Sequence, residues 1–266
     1  MSEFLETAIR AARAAGAVIA EAHESRRAAG GSSLGFSVKE KSRADFVTEV
    51  DVAAEKAACD VLRAAHPGHS ILAEEGGRGA LSSEWCWVID PLDGTTNFIR
   101  GIPFFAAAIS LEHRGVPVAA AIHDPVRDEL YHAAKGEGAF LGSRRLEVSR
   151  EATAAGSLAL TGIPFRDLQH LPRYLPGLER IARASAGIRR MGSAALDLCA
   201  VASGTAEVFW EFGLSRWDVS AGALIIEEAG GRVTDLAGGA SHLDTGDVLA
   251  SNGLVHDAFI DLVACV

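Results

Sequence analysis

The sequence holds no C-x-x-C pair, no excess of basic residues, no internal repeat and no low-complexity segment. Its four cysteines, Cys59, Cys86, Cys199 and Cys265, are scattered. That spacing excludes a clustered zinc site, argues against a disulfide framework, and fits reduced thiols in a cytoplasmic protein. With 25 basic against 35 acidic residues, the formal net charge is -10, which argues against a general role in gripping nucleic acid, whose phosphates demand a basic surface. If a ligand carries phosphate, something other than net charge must attract it. Glu3 and Glu6 stand where a secretory signal has basic residues, and Arg10 and Arg13 interrupt the following stretch, so no leader is expected. No run approaches the roughly 18 apolar residues of a membrane span, and no membrane partner is expected.

What is present favours burial. Of 266 residues, 48% are hydrophobic, enough for one compact unit or two closely joined halves. Phe4, Ala8, Ile9, Ala12, Ala15 and Ile19 recur at helical spacing, predicting an amphipathic helix over 3–27 that Gly30-Gly31-Ser32-Ser33 ends. A second helix is expected from Asp51, as its cap, to Ala65, ahead of Pro67-Gly68. Residues 70–73 read as a short strand that delivers Glu74-Glu75 into a glycine-rich loop, and 85–89 as a buried strand. Apolar stretches at 104–111, 116–122, 131–134 and 139–141 extend a largely antiparallel sheet. Residues 1–150 thus form an N-terminal α+β half. From residue 157, strands at 157–161, 206–210, 233 onward and 248–251 alternate with helices at 171–185, 193–203 and 217–229. Residues 151–266 therefore read as a second α/β layer sharing one continuous core with the first.

The stretch IDPLDGTTNF (89–98) sets two carboxylates around a proline and follows them with Gly-Thr-Thr. Pro91 has no amide hydrogen, so the strand ending at Ile89 is expected to turn there. Such a turn presents Asp90 and Asp93 toward one point, where two like charges repel unless a cation lies between them. Hard oxygen donors of this kind suit Mg²⁺, with the Leu92 carbonyl as a further ligand. Gly94-Thr95-Thr96 then open a helix whose first amides are unpaired and suit phosphate. In the alternative reading Asp90 caps a turn and Asp93 the next helix. Glu74 leaves its strand sixteen residues before Asp90, close enough for the two strand ends to lie side by side; a solvated acidic turn is the alternative there. Asp51 and Asp218 each head a helix with an apolar face, as a cap would. The haloacid dehalogenase loop, D-x-D-G-T, has one residue fewer between its acids than D-P-L-D-G-T does, which aims the first carboxylate differently.

Five segments in order, DFVTEVD (45–51), AEEGG (73–77), WVIDPLDGTTNF (87–98), GSAALDLCAVASG (192–204) and WDVSAGALIIEEAGG (217–231), closely resemble the inositol monophosphatase family over almost the whole chain. The resemblance implies an α/β (α+β) fold of the sugar phosphatase type, a layered αβαβα sandwich. It also implies a homodimer and lithium-sensitive, Mg²⁺-dependent hydrolysis of small phosphorylated polyols or sugars, with two or three ions. By that resemblance Glu74, Asp90, Asp93, Asp218 and the Leu92 carbonyl match metal ligands. Asp51 and Thr95 match the pair that orients the attacking water, and Glu74 joins them in catalysis. Gly94, Thr95 and Thr96 match the phosphate cradle, while Gly192, Ser193, Ala194 and Glu211 match substrate contacts, joined by Asp93 and Asp218.

Ala73 replaces the family's usual glycine, and Met191 stands where a small hydroxyl residue is common. Arg216 is expected to pair with an acid at the dimer surface, with a contact to substrate as the alternative, Arg189-Arg190 to be surface or interface charge, His123 to be structural and Cys199 a buried small apolar group. Inositol monophosphates are the expected substrates. Within the superfamily the alternatives are fructose 1,6-bisphosphate, histidinol phosphate and 3'-phosphoadenosine-5'-phosphate. A different class of alternative is a binding partner of the transcription machinery.

Overall fold

A computed structural model of the chain describes residues 2–28, 36–42, 45–78 and 83–264. The elements run α1 (Glu3–Ala28), β1 (Val38–Ser42), β2 (Asp45–Thr48), α2 (Glu49–Ala65), β3 (Ser70–Ala73), β4 (Gly77–Arg78), β5 (Trp85–Asp93) and α3 (Thr95–Arg100). Next come β6 (Ala106–His113), β7 (Val116–Asp124), β8 (Glu129–Ala134), β9 (Gly138–Leu141) and β10 (Arg144–Arg145). After them follow β11 (Leu158–Thr161), α4 (Leu171–Ala184), β12 (Gly187–Arg189), α5 (Ala194–Ala202), β13 (Val208–Glu211), α6 (Arg216–Glu228), β14 (Arg232–Thr234), α7 (His242–Thr245), β15 (Val248–Ser251) and α8 (His256–Val263).

Among the described residues, two large sheets and three helical layers build the sandwich, and β1 and β2 pair as a separate antiparallel two-stranded sheet. The larger sheet has the order β10-β9-β8-β7-β6-β5-β3-β4 and is antiparallel except where β3 runs parallel to β5. The smaller has the order β12-β11-β13-β15-β14, with β12, β11 and β13 parallel. Each central strand is apolar on both faces, because helices cover both sides of its sheet. Along β6, Ala107, Ile109 and Leu111 pack with α1 and α2, while Ala106 and Ala108 face α5 and α6. In β13, Phe209 joins the α5–α6 side, and Val208 and Trp210 pack with Tyr174 and Ile181 of α4 and Phe259 of α8. The order is α1/α2, large sheet, α5/α6, small sheet, α4/α8, which is the αβαβα sandwich that the resemblance implies.

The middle layer is drawn tight by Gly222 in α6. A Cβ there would lie 2.5 Å from Cδ1 of the buried Leu198 in α5, so no larger residue fits at this helix spacing. That spacing matters, because α5 and α6 each carry part of the site.

Some expectations need correction. β5 does not stop at Ile89 but runs on through Pro91 to Asp93. The pairing with β6 breaks between Asp90↔Ala108 and Asp93↔Ala106, and Pro91, with no amide hydrogen to give, falls in that irregularity. Asp51 does not cap α2. Thr48 does, accepting from the Val50 and Asp51 amides, while Asp51 sits three residues in and reaches back to the Thr48 amide. The stop expected at Gly30–Ser33 lies outside the described residues, as does Cys265. Cys59, Cys86 and Cys199 are free thiols, Cys199 being buried as expected. No helix among the described residues is long and apolar enough to cross a membrane.

Candidate functional site

Because β3 and β5 are parallel and pair as Ala73↔Ile89, Glu74 and Asp90 emerge side by side. The irregularity in β5 then brings Asp93 round beside Asp90. From the other half of the chain, the start of α6 delivers Asp218, and carboxylate oxygens of Asp90, Asp93 and Asp218 all lie within 4.8 Å of one another. Each is held by local donors. Asp90 Oδ1 accepts from the Leu92 amide at 3.1 Å, and Asp218 Oδ2 accepts from the Ser215 amide at 2.6 Å. Asp93 Oδ2 accepts from the Ser193 hydroxyl at 2.5 Å and the Ala195 amide at 2.7 Å, so the N-terminus of α5 fixes it. Glu74 is outside the group of three but borders the same cavity, and its charge acts on all of them.

Burial and mutual repulsion raise the proton affinity of these acids. Asp90, 1% exposed, is pushed well above the usual carboxylate range by burial first and then by the charges of Glu74, Asp93 and Asp218. Asp218 is pushed up to about 7 by burial, Asp93 and Glu74. Burial lifts Asp93 to about 6, held back by its Ser193 and Ala195 donors. Three oxygen-donor carboxylates crowded in this way fit a hard divalent cation, whose charge would remove the repulsion. The donor set contains no sulfur or imidazole, which fits Mg²⁺ better than a softer metal.

Behind this cluster, Thr95 Oγ1 lies 3.0 Å from both Asp51 Oδ1 and the Leu92 carbonyl. One hydroxyl proton thus has two acceptors. Asp51 is 1% exposed, its other oxygen accepts from the Thr48 amide and hydroxyl, and burial raises its pKa above the usual value. Thr95 borders the cavity, whereas Asp51, Asp90 and Leu92 lie beneath it. Gly94 between them adopts φ 91°, and a Cβ there would crowd the Phe104 carbonyl at 3.0 Å, so glycine alone suits the position. The backbone then enters α3, where the amides at its start have no helical acceptor.

The cavity has a volume of about 530 Å³ and is walled by the carboxyl ends of β3, β5, β11, β12 and β13. Glu74, Asp93, Gly94, Thr95, Thr96, Gly192, Ser193, Ala194, Glu211 and Asp218 all border it, so the expected residues from both halves meet. Burial, with the Asp218 charge, pushes Glu211 up to about 8. A Cβ on Gly162 would fall 1.9 Å from the Glu211 carboxyl, so the end of β11 is trimmed to admit that side chain.

Arg190 is not merely surface charge: it lies just past β12, borders the cavity and acts on Glu211. Arg166, Asp197 and Asn97 were not anticipated. Arg166 borders the cavity 3.4 Å from Asp45, and Asp197 borders it from α5. Asn97 donates to the Phe104 and Met191 carbonyls at 2.8 and 2.9 Å, tying the loop before α5 to α3. An acid inside the apolar run of α5 was the available signal for Asp197. Arg216 pairs not with a surface acid alone but with Glu112, 3% exposed, through Nε at 2.9 Å to both carboxylate oxygens. It also meets Asp244 at 2.9 Å. His123 is 7% exposed against Gly16 of α1, with Nε2 3.2 Å from Asp128 and no place in the cavity, as a structural residue should be.

A profile of the inositol monophosphatase family matches residues 1–266. The chain is 46% identical to Nus factor SuhB of Pseudomonas aeruginosa over 257 residues, covering 95% of this chain and 92% of that one. Among solved structures, the extragenic suppressor protein suhB of Bartonella henselae superposes with a TM-score of 0.92 at 36% identity, over 98% of each chain. The inositol monophosphatase of Anabaena superposes with a TM-score of 0.85 at 38% identity, over 98% of this chain and 94% of that one.

Proposed function

This chain belongs to the inositol monophosphatase family, and we propose that it hydrolyses inositol monophosphates to inositol and phosphate in a Mg²⁺-dependent reaction in the cytoplasm. The observation that carries the proposal is the meeting of Asp90 and Asp93 with Asp218, which comes from the far half of the chain, within 4.8 Å, with Asp93 and Asp218 bordering the cavity and Asp90 buried behind them.

In this reading Asp90, Asp93 and Asp218, with Glu74 and the Leu92 carbonyl beside them, hold the metal. When bound, Mg²⁺ supplies positive charge that makes water acidic and stabilises the departing alkoxide. The protein's own groups do the positioning. Asp51 Oδ1 engages the hydroxyl proton of Thr95, which leaves the lone pairs of Thr95 Oγ1 to accept a hydrogen from the attacking water. As water attacks phosphorus, its proton passes to Thr95 Oγ1 and the Thr95 proton to Asp51, whose raised proton affinity suits it to receive one. The amides of Gly94, Thr95 and Thr96 receive phosphate oxygens, and Ser193 keeps Asp93 from rotating away. Glu211 and the Gly192–Ala194 segment meet the alcohol part.

The test is a comparison of kcat/KM for inositol 1-phosphate, fructose 1,6-bisphosphate, histidinol phosphate and 3'-phosphoadenosine-5'-phosphate in Mg²⁺. Inositol 1-phosphate is expected to lead. A higher value for any other ester would reassign the substrate, and a phosphoaspartate trapped on Asp90 would overturn the direct attack by water.

The names of relatives such as the Nus factor SuhB of Pseudomonas aeruginosa favour a second role, as a partner of the transcription machinery. The formal charge of -10 opposes direct contact with a nucleic-acid backbone but not a contact made through protein. Such a role separates from catalysis: capture of transcription proteins should survive Asp93→Asn, and its loss in that variant alone would argue against a separate surface.

A further inference from the structure

Asp197 lies in the first turns of α5, 2% exposed, and borders the cavity. Its amide is used, donating to the Ser193 carbonyl at 3.0 Å, but its side chain is not: Oδ1 is buried without a hydrogen-bond partner. A carboxyl group in that condition is costly unless something fills the need. Among charged neighbours Glu211 acts on it most strongly, ahead of Asp93, while Arg190 acts with the opposite sign. Asp197 therefore shares the cavity with Glu211 and Arg190 as well as with Asp93, and it is not one of the three crowded aspartates. Burial also pushes its pKa well up, which favours the protonated form, able to donate as well as accept.

The geometry points to Asp197 as a specificity-determining residue that hydrogen-bonds a hydroxyl of the alcohol part of the substrate, and so selects polyol phosphomonoesters over esters of alcohols without further hydroxyls. This rests on the reading of the cavity as a phosphomonoesterase site. A buried polar group left unpaired by the wrong substrate discriminates more strongly than an apolar wall does, and Glu211 alone offers one such group where Asp197 makes a pair.

The test compares the unsubstituted protein with Asp197→Ala and Asp197→Asn, all in Mg²⁺, on inositol 1-phosphate and on p-nitrophenyl phosphate, whose alcohol has no further hydroxyl. The alanine variant should lose at least about tenfold more kcat/KM on the inositol ester than on the nitrophenyl ester, mainly through KM. Asparagine, which keeps an acceptor, should recover part of the loss. Melting temperature gives a separate reading: removing an unpartnered acid should not lower it, whereas removing a structural one should. Equal losses on the two esters, no loss on either, or a marked drop in melting temperature would overturn the assignment. Failure of the unsubstituted protein to hydrolyse either ester would overturn the proposed function and this assignment with it.

Discussion

Asp218→Asn should stabilise the metal-free protein and at the same time abolish its response to Mg²⁺. Asp218 is 9% exposed and its pKa is pushed up to about 7, by burial first and then by Asp93 and Glu74. Between the ordinary value of 3.8 and about 7, the folded chain binds a proton that the unfolded chain has released, so stability falls as pH rises through that window. Above it the whole penalty is present. A difference of about three units is worth at most about 4 kcal/mol, an upper bound because the three acids share the repulsion. Asparagine removes the charge and keeps an oxygen to accept from the Ser215 amide. At pH 8 in EDTA the variant should therefore melt higher, by on the order of 10 °C at about 2–4 °C per kcal/mol for a chain near this size. Mg²⁺ at about 100 times its Kd should add about 2.7 kcal/mol to the unsubstituted protein and almost nothing to the variant, narrowing the gap. Scanning calorimetry of the two proteins with and without Mg²⁺ reads all four values. A variant that melts below the unsubstituted protein in EDTA would refute the claim of crowded, repelling carboxylates.

The remaining predictions concern the frame and the water-holding pair. Gly222→Ala should cost about 1–3 kcal/mol from the clash with Leu198, less up to about 1 kcal/mol gained in helix propensity. Because it pushes α5 from α6, it should also weaken Mg²⁺ binding by calorimetry; unchanged stability would mean the two helices are not in tight contact. His256 is fully buried between Thr234 and Ser251, and burial pushes its pKa down to about 4. The stability it confers is complete above the ordinary value of 6.5 and lost as pH falls toward 4, up to roughly 3 kcal/mol. With Mg²⁺ present to suppress the opposite trend of Asp218, His256→Gln should flatten the melting temperature across that range, and an unflattened profile would count against it. Thr95→Ala should lower kcat by about two orders of magnitude or more with little change in KM, and Thr95→Ser should restore most of it. Equal kcat for Thr95→Ala and the unsubstituted protein would remove Thr95 from the reaction.

The layers were legible because their cause is local. A strand with helices on both faces must be apolar on both, and β6, β7 and β13 carry that pattern in sequence. The pairing of Glu74 with Asp90 was legible for a related reason, since two short strands with acids at their ends read as neighbours. Pro91 misled because a proline breaks a ladder only where its amide is needed, and the irregularity in β5 removes that need. Arg190 was illegible because nothing local to it shows that β12 runs parallel to β11 and aims its end at the cavity. Asp51 looked like a cap because a cap and the third residue of a capping box are both acids near a helix start, and only Thr48 distinguishes them. Asp197 shows in the sequence only as an acid inside the apolar run of α5, and nothing local to it says that it borders the cavity.

Phosphate release from inositol 1-phosphate by the purified protein, measured in Mg²⁺, then in EDTA, then with Mg²⁺ restored, tests the central claim most directly. Release in Mg²⁺, its disappearance in EDTA, its return with the metal and its suppression by lithium are the predicted results. The same rate of release in EDTA as in Mg²⁺ would contradict the assignment of Asp90, Asp93 and Asp218 to a metal.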